Sequence, residues 1–139
     1  MPAWLFKTEP STYSFADLQR DKKTVWEGVK NPTALQHIRK VKRGDAIYFY
    51  HTGSEKCIVG LARAASAPYP DPKASAAEKA KLAVVDLEPA RPVPKMVTLA
   101  QLKADARFKT FDLVRISRLS VMPVPKPLEK ALREMLGLA

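Results

Sequence analysis

The amino-acid sequence predicts a small α+β barrel, in which short helices pack around a sheet of strands. Its 139 residues are 46% hydrophobic and 27% charged, which suits one folded domain over residues 1–139. Several short strand patterns follow one another in hairpin order, and short amphipathic helix patterns separate them. This order differs from the regular strand–helix alternation of a doubly wound parallel sheet.

The N-terminal part is predicted to contain one strand and two capped helices. Residues 3–7 have the apolar composition of a short strand. Ser14 and Asp17 have the spacing of a capping box, which marks the start of a helix. Asn31 is a favourable cap residue, and the fixed φ of Pro32 suits the first helical position. We therefore expect helices to begin after Ser14 and after Asn31.

Three further strands are predicted in the middle of the chain. Residues 46–51 are rich in aromatic and β-branched side chains, so we expect a strand that is buried on both faces. Residues 57–62 return after a turn and complete a hairpin, and residues 82–87 form the next strand. Prolines make the following segment irregular or place it at a sheet edge: Pro89, Pro92 and Pro94.

The remaining segments are shorter. Residues 74–81 are predicted to form either a short helix or an exposed connection. Thr98 and Gln101 have capping-box spacing and begin a short helix. Residues 119–124 alternate as a last strand, and an apolar stripe that starts near residue 127 predicts an amphipathic terminal helix.

The charge balance favours a polyanionic partner. Lys and Arg number 24 against 14 Asp and Glu, for a net charge of +10, and phosphate contacts gain free energy by releasing counterions. The alternative is that the charge only keeps the protein soluble. Residues 20–43 carry eight cations and two anions. The cations expected to contact phosphates are Lys30, Arg39, Lys40, Lys42 and Arg43.

The residue types that most enzymes and metal sites require are scarce. Five scattered glycines form no phosphate-binding loop, and the sequence contains no nucleophile elbow. Two histidines and the single Cys57 leave no pair at zinc spacing. We therefore expect a binding module without a metal or cofactor rather than an enzyme.

Location and assembly follow from similar observations. Cys57 has no partner for an internal disulfide, which is typical of a reducing compartment. No apolar run approaches the ~20 residues of a membrane span, and no signal peptide is evident at the N-terminus. We expect a cytoplasmic monomer with no membrane partner.

Three stretches combine side chains that suit a ligand site. In residues 26–31, Trp26 can offer a flat wall to a base and Asn31 an amide, and Gly28 leaves room beside the ring. The alternative is that Trp26 fills the core and Asn31 only caps a helix. Residues 49–52 place polar groups at a strand end, where barrels bind ligands. Residues 115–121 carry two cations and two hydroxyls that suit a ligand contact. The alternative is that this segment is only a solvated face.

These stretches belong to a longer series of motifs that resembles the EVE domain of the PUA-like superfamily. The motifs are residues 4–10 (Trp-Leu-Phe-Lys-Thr-Glu-Pro), 26–31 (Trp-Glu-Gly-Val-Lys-Asn), 44–45 (Gly-Asp), 49–52 (Phe-Tyr-His-Thr), 59–60 (Val-Gly), 69–72 (Tyr-Pro-Asp-Pro) and 117–124 (Ser-Arg-Leu-Ser-Val-Met-Pro-Val). Their order extends the resemblance over essentially the whole chain. Two departures are Ile116, where family members often have Gln, and Thr52, where they often have Ser.

The resemblance implies a PUA-like antiparallel β-barrel with short helices packed around it and a pocket at one mouth. It further implies a non-catalytic module that reads a flipped, modified base in DNA or RNA, such as methylated or hydroxymethylated cytosine. The site residues that it implies are Lys7, Thr8, Glu9, Trp26, Asn31, Tyr50, His51, Thr52, Ser117, Arg118 and Ser120.

Two other classes of function remain open from the sequence. Related ASCH modules are linked to hydrolysis of RNA or nucleoside derivatives, for which Lys7, Glu9 and His51 offer an acid–base set. The second alternative is a protein–protein adaptor that uses the terminal helix as its surface.

Strand alternation limits how the residues of the 49–52 motif can share one pocket. Phe49 and His51 point to one face of a regular strand, whereas Tyr50 and Thr52 point to the other. We predict regular pairing through Phe49 or Tyr50 and then a break. The break would allow both His51 and Thr52 to face a cavity beside Trp26.

Overall fold

The computed structural model describes residues 2–138, and a curled, seven-stranded sheet forms its centre. The strands are β1 (Ala3–Thr8), β2 (Thr24–Trp26), β3 (Ala46–His51), β4 (Cys57–Ala64), β5 (Tyr69–Pro70), β6 (Ala83–Thr98) and β7 (Val121–Val124). Their order across the sheet is β2-β6-β4-β3-β1-β7, and β5 pairs with β6. The α+β, barrel-like architecture that the sequence predicts is confirmed.

Short helices surround this sheet. They are α1 (Phe15–Asp21), α2 (Pro32–Ile38), α3 (Ala76–Lys79), α4 (Leu99–Ala104), α5 (Asp112–Arg115) and α6 (Lys126–Leu136), with a 3₁₀ turn at Ala106–Phe108. The predicted capping boxes at Ser14 and Thr98 are present, and the Asn31 side chain accepts a hydrogen bond from the Ala34 amide. For residues 74–81 the sequence allowed either a short helix or an exposed connection. Residues 76–79 form a helix, which begins with a capping box at Ser75.

One pairing departs from the expected antiparallel barrel. β1 lies between β7, to which it is antiparallel, and β3, to which it is parallel from Ala3↔Ala46 to Thr8↔His51. The sheet is therefore mixed. The parallel pairing of β1 with β3 follows from the long crossover through α1, β2 and α2, which returns the chain to the starting end of β1 before β3 begins.

The proline-rich segment continues β6 rather than ending it. Pro89 lies opposite Ala62 of β4 and Pro92 lies opposite Gly60, and the register shifts between Leu61 and Ala62 and again between Ile58 and Gly60. The other side of β6 is paired with β2 and β5 only as far as Leu87 within the described chain. The prolines therefore occupy a sheet edge, where one side of the strand has no partner and the lack of an N–H is tolerated.

Aromatic rings fill the inside of the curled sheet. The centroid of Trp26 lies 5.5 Å from that of Phe6 and 5.5 Å from that of Phe49, and Phe15 contacts Phe49 at 5.4 Å. Gly60 faces this group, and a Cβ atom there would lie 2.5 Å from the Phe15 ring. A side chain at residue 60 would thus displace Phe15 and separate α1 from the sheet.

A buried carboxylate joins the turn before β3 to β1. Asp45 Oδ2 accepts hydrogen bonds from Trp4 Nε1 at 3.0 Å and from the Lys42 amide at 2.9 Å. Asp45 is fully buried, and its Oδ1 has no hydrogen-bond partner in the part of the chain that the structure describes. These bonds hold the turn in the position from which β3 pairs with β1.

His51 joins β3 to the start of α1. Its Nε2 accepts a hydrogen bond from the Phe15 amide at 3.0 Å, and its Nδ1 lies 3.0 Å from Glu55 Oε1. Because Nε2 is the acceptor, the ring hydrogen of neutral His51 lies on Nδ1 and is donated to Glu55. The imidazole therefore satisfies one of the unpaired amides at a helix start.

We expect the bond between Trp4 and Asp45 to contribute measurably to stability. Asp45→Ala should lower the free energy of unfolding by about 2 kcal/mol, since it leaves the Trp4 N–H buried without a partner. In urea titrations, Trp4→Phe combined with Asp45→Ala should show a coupling energy on the order of 1 kcal/mol. Purely additive losses in the double variant would contradict the assignment.

A second stability test concerns the histidine that caps α1. His51→Phe keeps an aromatic ring but removes the acceptor of the Phe15 amide, so it should destabilise the protein by about 1–3 kcal/mol. The matched control is His37→Phe, because the His37 ring makes no hydrogen bond within residues 2–138. Equal melting temperatures for the two variants would show that the cap contributes nothing.

Candidate functional site

A cavity of about 280 Å³ opens beside Trp26 and is called here the tryptophan cavity. It lies between the end of β1, the segment before α1 and strand β2. The residues that line it are Thr8, Thr12, Tyr13, Thr24, Val25, Trp26 and Glu27. One aromatic wall and several hydroxyl groups therefore surround a space slightly smaller than the ~300–1,000 Å³ of common small-molecule sites.

Trp26 is both a core residue and the wall of this cavity. Only 8% of its surface is exposed, because Phe6 and Phe49 pack against the ring. Its Nε1 makes no hydrogen bond to any residue between 2 and 138, and it is not among the fully enclosed polar atoms. The indole N–H is thus a donor without a partner in the described part of the chain.

The backbone beyond Trp26 differs from our expectation for Gly28. We expected its missing side chain to make room beside the ring, but a Cβ atom at this position would have nothing within 4 Å. Gly28 has a φ of +82°, which L side chains rarely adopt. The turn between β2 and α2 therefore favours glycine at this position, and Gly28 is not among the residues that line the tryptophan cavity.

Hydrogen bonds order the opposite wall of the tryptophan cavity. The Thr8 hydroxyl donates to the Tyr13 carbonyl at 3.0 Å, and the Tyr13 hydroxyl donates to Asp21 at 2.9 Å. Burial, together with the Asp21 carboxylate, raises the pKa of Tyr13, so the phenol stays protonated at neutral pH. The Thr12 and Thr24 hydroxyls complete this polar side.

A second cavity, of about 250 Å³, contains several of the other predicted site residues and is called the lysine cavity. Its lining comprises Lys7, Tyr50, Thr52, Gly53, Lys56, Leu99, Lys103, Leu113, Val114 and Ser117. Lys7 Nζ donates to the Ser117 carbonyl at 3.0 Å and lies 5.9 Å from the centroid of the Tyr50 ring. Burial lowers the pKa of Lys7 and raises the pKa of Tyr50 to about 12.

The structure thus separates the predicted site residues into two groups. Thr8 and Trp26 line one cavity, whereas Lys7, Tyr50 and Thr52 line the other. Strand alternation explains this division, because Lys7 and Thr8 are neighbours in β1 and point to opposite faces. Ser117 belongs to the lysine cavity.

The predicted break in β3 does not bring His51 to the tryptophan cavity. The register with β4 shifts between Phe49 and Tyr50, as expected, but pairing then resumes through His51↔Cys57. The His51 ring points instead toward Phe15 and is buried there. Thr52 donates its amide to the Thr8 carbonyl at 2.9 Å and lines the lysine cavity. Our expectation that both residues face Trp26 was wrong.

The other predicted site residues lie outside both cavities. Glu9 is exposed and accepts hydrogen bonds from the amide and hydroxyl of Ser11. Asn31 uses its side-chain oxygen to cap α2. Arg118 is exposed, and Ser120 contributes a backbone carbonyl that accepts the Lys7 amide at 2.9 Å. These four residues do not form one pocket with Trp26.

The predicted phosphate-contacting cations lie in the segment before α2 and in the turns that follow it. All five are exposed and have no carboxylate within 4 Å in the described residues: Lys30, Arg39, Lys40, Lys42 and Arg43. The Arg39 guanidinium donates to the Lys81 carbonyl. Lys30 and Arg39 also line a groove of about 590 Å³ between α2 and α3.

The alternative acid–base set is not assembled. Lys7 is bonded to Ser117, Glu9 to Ser11 and His51 to Phe15 and Glu55, and no hydrogen bond joins any two of the set. Within residues 2–138, no three His, Cys, Asp or Glu side chains are grouped as a metal site requires. No helix in that range is both long and apolar enough to cross a membrane.

Sequence reasoning missed several cavity residues. Thr24 lies two residues before Trp26, and alternation along this short segment would have placed both side chains on one face of a strand. Lys56 and Lys103 carried no such signal. They come from a turn and from α4, and only the folded sheet brings them close to Lys7.

Comparison with known proteins gives close matches over nearly the full chain. The chain is 30% identical to thymocyte nuclear protein 1 from Gallus gallus over 87% of its length, and the match covers 63% of that relative. It therefore spans less than two-thirds of the chicken protein. A solved structure from Rhodopseudomonas palustris is 36% identical, with a TM-score of 0.91 over 99% of this chain and 94% of that one.

Two further structures bear on the alternatives. Human THYN1, solved in complex with DNA that contains 5-methylcytosine, is 25% identical, with a TM-score of 0.88 and 98% coverage of both chains. An ASCH protein from Zymomonas mobilis is 14% identical, with a TM-score of 0.61 over 96% of this chain and 97% of its own. This second likeness shows a shared fold alone.

The family model named EVE domain matches residues 2–135, which is nearly the whole chain. The same range contains every motif on which the resemblance in sequence rests, from residues 4–10 to residues 117–124. The chain belongs to the EVE domain family.

Proposed function

We propose that this protein is a non-catalytic module that holds a modified, flipped base of a nucleic acid in the tryptophan cavity. The observation that carries the proposal is Trp26, whose ring forms one wall while its N–H has no partner in the described protein. The human relative whose structure contains 5-methylcytosine DNA supports modified cytosine in DNA as the ligand class. Modified RNA is the alternative.

The cavity offers the interactions that a single base requires. Stacking on an aromatic side chain contributes roughly 1–3 kcal/mol per base, which offsets much of the few kcal/mol that base flipping requires. The Thr12 and Thr24 hydroxyls and the indole N–H can form hydrogen bonds with the base edge. A methyl group in an apolar position adds about 0.8 kcal/mol, so discrimination against the unmodified base should be modest.

The exposed cations provide affinity that does not depend on sequence. Lys40, Lys42 and Arg43 follow α2 without carboxylate partners in the described structure, within a protein of net charge +10. Cations of this kind hold the phosphate backbone and orient the strand, while the pocket supplies selectivity.

We infer a binding role rather than hydrolysis because Lys7, Glu9 and His51 each bond elsewhere. Incubation of the purified protein with RNA and with acylated nucleosides tests this inference. Turnover that disappears in Glu9→Gln would establish the hydrolase instead, and the absence of turnover agrees with the binding module.

The base-binding role predicts a selective effect of Trp26. The wild-type protein should bind a strand with one 5-methylcytosine about four-fold more tightly than the unmodified strand, as about 0.8 kcal/mol implies. Trp26→Phe shortens the wall and removes the N–H, so it should weaken binding of the modified strand about ten-fold and reduce the preference. Fluorescence anisotropy with both strands measures these changes.

Because Trp26 also supports the core, folding of Trp26→Phe must first be checked by circular dichroism. Thr24→Val serves as a second variant that does not alter the Trp26 ring. Thr24→Val removes one cavity hydroxyl, and Thr110→Val, an exposed site elsewhere, is its matched control. A modified-strand affinity that both Trp26→Phe and Thr24→Val leave unchanged would refute the assignment of this cavity. The same titrations with modified RNA decide between the two nucleic acids.

Salt dependence tests the electrostatic part separately. Lys40→Glu and Arg43→Glu should weaken binding of all sequences about equally, and each lost phosphate contact should reduce the salt slope by about one on duplex DNA. Lys130→Glu changes an exposed lysine of α6 and should have a smaller effect. A slope that is the same in all three variants and the wild type would show that these cations do not contact the ligand.

A further inference from the structure

Lysines from three separate segments converge on the lysine cavity. Lys7 comes from β1, Lys56 from the turn between β3 and β4, and Lys103 from α4. We propose that this cavity binds a phosphate group of the nucleic-acid strand, as a second site apart from the tryptophan cavity. The inference rests on the nucleic-acid ligand of the proposed function, but not on recognition of a modified base.

The charges of these lysines are not neutralised within the described protein. None of the three has a carboxylate oxygen within 4 Å in residues 2–138. Two acids lie near these lysines without forming an ion pair with any of them: Glu55 lines the adjoining cavity and bonds to His51, and Glu9 lies beside Gly53 and bonds to Ser11. Like charges around one cavity repel each other, and an anion placed between them removes that repulsion.

Lys7 is the most constrained of the three. Lys7 is a half-buried residue, and its ammonium group donates to the Ser117 carbonyl, which leaves two of its three hydrogens available. Burial lowers its pKa, since a charged group loses hydration there. A bound phosphate would favour the charged form and accept the remaining hydrogens.

The backbone at Lys56 supports the same assignment. Lys56 has a φ of +47°, in the left-handed region that few non-glycine residues adopt. Its carbonyl accepts the Leu99 amide at 2.8 Å, which ties this turn to the start of α4. The bond fixes the turn that carries Lys56 relative to the helix that carries Lys103, so both lysines are held at the same cavity.

The shape of the region fits a strand rather than an isolated ion. Leu99, together with the small exposed parts of Tyr50 and Leu113, gives the cavity an apolar side against which a sugar can pack. A neighbouring cavity of about 390 Å³ shares Lys56, Leu99 and Lys103 with the lysine cavity, so these residues border both spaces. A positively charged groove that follows the backbone is typical of single-strand binding sites.

Position along β1 relates this site to the tryptophan cavity. Lys7 and Thr8 are adjacent in sequence, and each lines a different cavity. A strand that crosses the end of β1 could therefore place a phosphate near Lys7 and a flipped base near Thr8. The two contacts remain separable by mutation, because none of residues 2–138 lines both cavities.

The test uses an unmodified single-stranded oligodeoxynucleotide and the full chain. Lys56→Met and Lys103→Met should each weaken binding about five-fold at low salt and reduce the salt slope by about 0.7. Lys130→Met, an exposed lysine of α6, is the matched control and should leave both quantities nearly unchanged. Lys7→Met should weaken binding like the other two, and its melting temperature is measured alongside because the substitution also removes the bond to the Ser117 carbonyl.

A strand in which neutral methylphosphonates replace the phosphates provides the decisive comparison. The wild-type protein and Lys103→Met should bind it equally, because the charge that Lys103 contacts is gone. The proposal would be overturned if Lys56→Met and Lys103→Met both bind the ordinary strand as tightly as the wild-type protein does. It would also be overturned if Lys103→Met binds the neutral strand more weakly than the wild-type protein does.

The same titrations separate this proposal from the proposed function. Lysine variants should leave the ratio of modified-strand to unmodified-strand affinity unchanged, whereas Trp26→Phe should reduce that ratio and leave the salt slope unchanged. If the wild-type protein binds the modified and unmodified strands equally while the lysine variants still weaken binding, base reading is refuted and the phosphate site is not. Intact selectivity with no lysine effect would refute only the phosphate site.

Discussion

The parallel pairing of β1 with β3 is the constraint on which the rest of the molecule depends. It runs from Ala3↔Ala46 to Thr8↔His51, so both strands end at the same edge of the sheet. Beyond it, the Thr52 amide still bonds to the Thr8 carbonyl at 2.9 Å. Because adjacent residues of a strand point to opposite faces, this shared edge supports two cavities rather than one.

Trp26 shows how closely the candidate site and the core are connected. Its ring packs at 5.5 Å from both Phe6 and Phe49, and the same ring forms the wall of the tryptophan cavity. A rigid wall suits recognition, because little conformational freedom is lost when a ligand stacks on it. The same rigidity makes substitutions at Trp26 affect stability as well as binding.

Local interactions made much of the fold predictable from the sequence alone. The capping boxes at Ser14 and Thr98 and the cap at Asn31 involve residues within three positions of each other, so their spacing was sufficient to place three helix starts. The hairpin of β3 and β4 is likewise local, and the basic character of the chain needed only its composition. Trp26 was identified as a candidate wall from its residue type and motif.

What only the tertiary structure decided was which of these residues meet. The sequence suggested that His51 contacts a ligand. In the structure, its Nε2 instead accepts the amide hydrogen of Phe15, 36 positions away, at the start of α1. Lys56 and Lys103 had no local pattern, yet the fold places both beside Lys7. The physical reason is that strand pairing and helix packing act between residues far apart in the chain, whereas caps, turns and charge are properties of short segments.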